Sequence, residues 1–288
     1  MNYCTRIPQA VIPSVKRMIV IGDVHGDWGA LKSALKVARI TNHHNEWIGG
    51  DTHVIQVGDL IDRKVRGGVG DEKSEQKILN HLIHLKQSAL RAGGNVHLLL
   101  GNHELMNVMG DFRYVSPLGM TDFNGKRKQA FKPGGRIAKL MACNMNSVVQ
   151  IGSWVFSHAG ITSHVSKTYT IDQVNKHIRQ FLLGNTVMNR DHDLMDIFWH
   201  RNYGHEGACP LVQDSLSHWK AKNMAVGHTV QEHGINSLCN GSFWQVDVGM
   251  SDAFGTETNS RVSTVEVLEI LNDGDEINIL KGKKLVLN

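Results

Sequence analysis

Asp23, His25, Asp59, Asn102, His158 and His228 are side chains of the kinds that bind divalent metals, and each stands at the end of a short apolar run. Met18-Ile19-Val20-Ile21 leads into Gly22-Asp23-Val24-His25-Gly26. Val54-Ile55-Gln56-Val57 leads into Gly58-Asp59-Leu60-Ile61-Asp62-Arg63, and Val96-His97-Leu98-Leu99-Leu100 into Gly101-Asn102-His103-Glu104. Trp154-Val155-Phe156 and Met224-Ala225-Val226 deliver His158 and Gly227-His228-Thr229 in the same way. Apolar runs of this length bounded by glycine read as buried strands. Open α/β sheets place their ligand sites at the C-terminal ends of such strands. A single Asp-x-His proves little, but three glycine-closed edges in one chain are hard to explain as packing. Carboxylate, imidazole and amide oxygen together suit borderline ions such as Mn²⁺, Fe²⁺ or Zn²⁺. A carboxylate shared by two ions holds them ~3.5–4 Å apart, the spacing used for in-line attack at phosphorus.

The elements that must position these residues alternate between strand and helix, an α/β pattern. Asp27 can cap a helix carrying Leu31, Leu35 and Ala38 on one face. Lys64 to Gly70 reads as a flexible connection. A long amphipathic helix follows, with Ile78, Leu79, Leu82, Ile83 and Leu90 inward and Gly93 as its stop. Further helices are expected at 137–141, near 171–183 and around 210–221. Gly152-Ser153 and Asn240-Gly241 are hairpin signals, and Val262 to Leu287 reads as strands padding a sheet edge. His43 and His44 are adjacent and share no helix face, so they read as loop residues. His81 and His84 lack a third partner and read as boundary residues.

At 288 residues the length permits two domains, yet no Pro/Ser-rich linker divides the chain. The reading is an irregular lead-in over 1–17 and a single catalytic domain over 18–288. A net charge of +4 is too small to imply a nucleic-acid partner. The cluster Lys126-Arg127-Lys128 is expected to be a solvated face. Cys4, Cys143, Cys209 and Cys239 are far apart and form no C-x-x-C pair, which suits reduced thiols in a cytosol. No apolar run approaches ~18 residues and no leader-like segment opens the chain. The expectation is a cytoplasmic protein without membrane association, its oligomeric state unspecified.

The ordered series Gly22-Asp23-x-His25-Gly26, Gly58-Asp59-x-x-Asp62-Arg63, Gly101-Asn102-His103-Glu104, His158-Ala159-Gly160 and Gly227-His228-Thr229 resembles the calcineurin-like metallophosphoesterases of the PPP type. The run from Glu104 to Val115 and Asp247-Val248-Gly249-Met250-Ser251 are similar to the Shewanella-like protein phosphatases. The resemblance covers about residues 18–255. It implies a four-layer αββα sandwich with two central mixed β-sheets, and two divalent ions, Mn²⁺ before Fe or Zn. Carried over, it makes Asp23, His25 and Asp59 ligands of one ion and Asp59, Asn102, His158 and His228 ligands of the second, with Asp59 bridging. His103 becomes the general acid, Asp62 its orienting partner, and Arg63 and Arg201 phosphate clamps. Asn102 would also face the substrate. The implied reaction is attack by a metal-bridging hydroxide on a phosphoprotein or phosphopeptide ester, of Ser/Thr or Tyr. A dinucleoside polyphosphate hydrolase of the diadenosine tetraphosphate type is the alternative.

Three positions depart from the eukaryotic pattern. Lys64 stands where glycine follows the Asp-Arg pair, Leu100 where arginine precedes Gly-Asn-His-Glu, and the C-terminal Ser-Ala-Pro-Asn-Tyr motif is absent. Asp247 reads either as a site residue or as a hydrogen-bonding loop residue. Glu104 reads as an anchor rather than a ligand.

Overall fold

Both faces of the strand Arg17–Ile21 are buried, as a continuous apolar run demands of a strand covered on each side. Met18 and Val20 enter an apolar layer between two sheets, while Ile19 and Ile21 pack beneath helices. The structure, a computed structural model, describes residues 4, 6–65, 70–189, 192–254 and 264–284.

One six-stranded sheet runs Glu276–Lys283, Thr264–Leu271, Arg17–Ile21, His53–Gln56, Asn95–Leu99, Met145–Asn146. Its last four strands are parallel and its first two join antiparallel. The other runs Val11–Ile12, Val148–Ile151, Trp154–Ser157, Asn223–Val226, Phe243–Gln245, Asn236–Leu238, again with mixed pairing. Helices Trp28–Val37 and Glu75–Arg91 cover the first sheet, and Ile171–Leu182 packs on the second. Two mixed sheets flanked by helices are the α/β sandwich expected.

Local rules account for the elements. The Asp27 side chain accepts from the Ala30 N–H and starts its helix. In Glu75–Arg91 the inward stripe is Ile78, Leu82, Leu85 and Ala89. Leu90 is 49 % exposed, contrary to expectation, because it lies one residue beyond that stripe. Asn240 and Gly241 both take positive φ and Ser242 N–H reaches the Cys239 carbonyl at 3.2 Å, as a type I′ turn requires.

Two expectations need correction. The lead-in is not wholly irregular, since Val11–Ile12 pairs parallel with Val148–Ile151 and extends the second sheet. The thiols are not reduced either. Cys4 pairs with Cys143 and Cys209 with Cys239, each with Cα atoms 5.2 Å apart. Spacing along the chain carries no trace of these pairings, because folding brings together cysteines 139 and 30 residues apart. The argument for a reducing cytosol falls with them. No helix among the described residues is long and apolar enough to cross a membrane. Of the connection expected at 64–70, residues 66–69 lie outside the described residues, as do the ends of the C-terminal strand region.

His97 and His53 meet across neighbouring strands, Nε2 to Nδ1 at 3.1 Å. Burial first, then the neighbouring imidazole and Lys86, holds His97 well below its ordinary value; burial also lowers His53. The unfolded chain takes up protons near pH ~6.5 while the folded pair does not, so stability is lost as pH falls through that range. The slope is at most about 1.4 kcal/mol per pH unit for each proton. Urea midpoints between pH 8 and 5 should decline less steeply in His97→Leu than in the wild type.

Candidate metal centre

The C-terminal strand ends converge through tight backbone turns. His25, Asp59, Asp62 and His228 all take positive φ, between 43° and 71°, a conformation that non-glycine residues adopt at a cost. Two glycines let the loops cross. A Cβ at Gly58 would meet the Gly101 nitrogen at 2.6 Å, and one at Gly101 would meet Asp59 Oδ1 at 2.1 Å. Glu104 fastens the crossing, accepting from Gly101 N–H at 2.7 Å, Asp59 N–H at 3.0 Å and Leu60 N–H at 2.9 Å. It is an anchor of backbone, as its sequence position suggests.

The six expected ligands come together. Asp59 Oδ2 lies 3.7 Å from His25 Nε2 and 3.4 Å from His158 Nε2. Asp23 Oδ2 lies 3.9 Å from His25 Nε2, and Asn102 Oδ1 2.8 Å from His158 Nε2. The donor atoms of Asp59, His158 and His228 all lie within 4.8 Å of one another. All six residues are buried.

These donors fit divalent cations. His25 Nδ1 contacts the Ile61 carbonyl at 3.2 Å and His158 Nδ1 the Val57 carbonyl at 2.9 Å. Each Nδ1 therefore carries a proton, which leaves each Nε2 as the atom that faces the carboxylates. Burial alone would lower His158, but the Asp59 carboxylate raises it, so a cation bound among His158 Nε2, Asn102 Oδ1 and Asp59 Oδ2 would compete with a proton for the same place. His228 Nε2 is buried without a hydrogen-bond partner, and burial followed by the His158 charge lowers its pKa to about 3. Burial, Asp247 and Asp59 push the Asp23 carboxyl well above its ordinary value. Such a concentration of buried carboxylates and imidazoles suits a cation. Burial would likewise raise Asp59, but the imidazoles of His158, His103 and His25 hold it well below.

His103 Nδ1 meets Asp62 Oδ2 at 2.8 Å, forming the expected pair. Its Nε2 lies 3.8 Å from Asp59 Oδ2, so proximity alone would also admit it as a ligand. Arg201 reaches the site, donating through Nη1 to the His228 carbonyl at 3.1 Å and to Thr229 Oγ1 at 2.9 Å. Arg63 does not line the cavity. Its guanidinium is buried against Asp27 at 2.7 Å, with Glu72 and Asp252 beyond and Lys284 joining Asp27. Three carboxylates turn it away from the place expected of a clamp.

Above the expected ligands lies a cavity of about 750 Å³. Met106, Tyr114, Met195, Trp199 and Phe254 form its apolar wall, and Arg113 and Arg201 its cationic groups. Lys64, the first departure from the eukaryotic pattern, docks this wall: its N–H donates to the Tyr114 carbonyl and its Nζ to the Arg113 carbonyl, each at 3.0 Å. Asp247 lines the cavity and is fully buried, its pKa raised to about 6 chiefly by burial. The sequence singled out its loop but left its role open. The expected solvated face at 126–128 holds for both lysines and fails for Arg127, which is 1 % exposed. Spacing gave no sign of this.

Paired sheets with a cluster of acids, amides and imidazoles at their strand ends agree with a family model, calcineurin-like phosphoesterase, that matches residues 16–239. The chain belongs to that family. Within it, similarity runs to the Shewanella-like protein phosphatases. Shewanella-like protein phosphatase 2 of Arabidopsis thaliana is 31% identical, over 90% of this chain and 76% of its own. Shewanella-like protein phosphatase 1 of Plasmodium berghei is 30% identical, over 82% and 67% respectively. The solved cold-active protein-tyrosine phosphatase of a psychrophilic Shewanella species superposes with a TM-score of 0.77 at 26% identity, covering 96% of this chain and 83% of that one.

Proposed function

We propose that this chain is a two-metal phosphomonoesterase acting on phosphoproteins, with phosphotyrosine preferred. The observation that carries the reading is the convergence of the Asp59, Asn102, His158 and His228 ligand atoms below an apolar, partly aromatic wall. Asp23, His25 and Asp59 would hold one ion and Asp59, Asn102, His158 and His228 the other, with Mn²⁺, Fe²⁺ or Zn²⁺ all suited to these donors. When bound, the ions activate water as a nucleophile and neutralise charge at phosphorus.

The protein's own residues supply the rest. Arg201 would donate to phosphoryl oxygens from one side, and Arg113 from the other takes the place that Arg63 does not fill. Asp62 holds the Nδ1–H of His103, leaving Nε2–H to protonate the departing oxygen as the P–O ester bond breaks. Met106, Trp199 and Phe254 would enclose an aromatic ring, whereas a serine or threonine ester leaves that wall uncovered. The protein-tyrosine phosphatase likeness supports the same preference.

The test is Mn²⁺-loaded enzyme assayed on matched phosphotyrosine, phosphoserine and phosphothreonine peptides beside diadenosine tetraphosphate, at low and high salt. The expected result is highest kcat/KM on phosphotyrosine, falling with salt as Arg113 and Arg201 are screened. A clear preference for the dinucleotide would overturn the phosphoprotein reading and leave the two-metal chemistry in place.

A further inference from the structure

Behind the acid pair lies a buried guanidinium that the reaction described above does not use. The side chains of Arg127, Asp62 and Glu75 have no exposure. Arg127 Nη2 donates to Asp62 Oδ1 at 2.8 Å and Nε to Asn107 Oδ1 at 2.7 Å. Its Nη1 donates to Glu75 Oε2 and to the Gly119 carbonyl. Asn107 in turn donates to both Asp62 oxygens, at 2.9 and 3.0 Å, and to the His103 carbonyl at 2.9 Å. Glu75 Oε1 closes the frame by accepting from the Asp62 N–H at 3.0 Å.

Packing alone does not call for this arrangement. Apolar residues of similar volume commonly replace a buried ion pair without loss of stability. A planar guanidinium does what they cannot, which is to fix the plane of a carboxylate through directed N–H groups. With Oδ1 held by Arg127 and Asn107, Oδ2 is left aimed at His103 Nδ1. The Phe123 and Phe131 rings, 5.3 and 5.0 Å from the guanidinium, pin it in turn.

Resting on the assignment of His103 as proton donor, we infer that Arg127 is a positioning residue for that donor: it locks the Asp62 carboxylate, and through it the direction of His103 Nε2. Arg127 lies on the segment that follows Arg113 and Tyr114, so one stretch of chain both lines the cavity and aims the acid.

The experiment compares Arg127→Met, Asn107→Ala and His103→Asn with the wild type on a series of substituted phenyl phosphates, from p-nitrophenyl to unsubstituted phenyl. Metal content, kcat and KM are measured separately. In both positioning variants the metals should stay and KM should hold. Their kcat should fall about tenfold or more on phenyl phosphate and little on p-nitrophenyl phosphate, whose leaving group needs less proton assistance. Uniform kcat loss across the series, or an effect on KM alone, would overturn the inference. If His103→Asn itself shows no dependence on leaving group, the acid assignment fails and the inference with it. If it does and the positioning variants do not, the inference fails alone. Should Arg127→Met not fold, Asn107→Ala decides by the same criterion.

Discussion

Replacing Asp59 with asparagine should strip the protein of metal and reduce kcat/KM by about 10³-fold or more, the several kcal/mol that metal stabilisation of phosphoryl charge supplies. Asp59 Oδ2 faces His25 at 3.7 Å and His158 at 3.4 Å, so it alone among the six stands between the two groups of donors. Its Oδ1 also accepts from the His103 N–H at 2.9 Å. Asparagine keeps the shape of the side chain and one acceptor but removes the charge that both ions would share. Elemental analysis of purified wild type and Asp59→Asn, beside thermal melting to show that the variant is folded, provides the check. A folded variant with normal metal content and normal turnover would remove Asp59 from the bridging role.

His103→Asn should leave both metals in place and lower kcat by ~10²–10⁴-fold on esters with poor leaving groups, the range for loss of a positioned acid. The loss should be smallest on p-nitrophenyl phosphate. The expectation rests on the 2.8 Å contact with Asp62, which occupies Nδ1 and directs Nε2 towards the cavity. His103 is also near enough to Asp59 to be a ligand, and metal content separates the two roles. Metal lost in this variant, together with equal rate loss on all esters, would make His103 a ligand.

How much of this was legible in sequence depends on distance along the chain. The convergence of Asp23, His25, Asp59, Asn102, His158 and His228 could be expected because they close five strands, Asp23 and His25 sharing one, and neighbouring strands carry their ends to one edge. The two sheets were implied by the family resemblance, and a two-residue strand such as Val11–Ile12 has no periodicity to detect. The direction of Arg63 was not legible because a motif names a residue without its rotamer, and Asp27, Glu72 and Asp252 draw the guanidinium to themselves. Arg127 was hidden by its neighbours: a basic residue between two exposed lysines looks solvated, while its partner Asp62 lies 65 positions earlier. The cysteines were opaque for the same reason.

The division of the donors between the two sheets bears on the order in which the chain can fold. Asp23, Asp59 and Asn102 close strands of one sheet, and His158 and His228 close strands of the other. The His228 N–H meets the Asp23 carboxylate across 205 residues of sequence. Contacts of that separation come late, after the cost of closing long loops has been met by local structure. The donor set is therefore whole only in the finished fold. Ions that required all of it would act by mass action on the folded chain and would hold the halves of the sandwich together as a clasp.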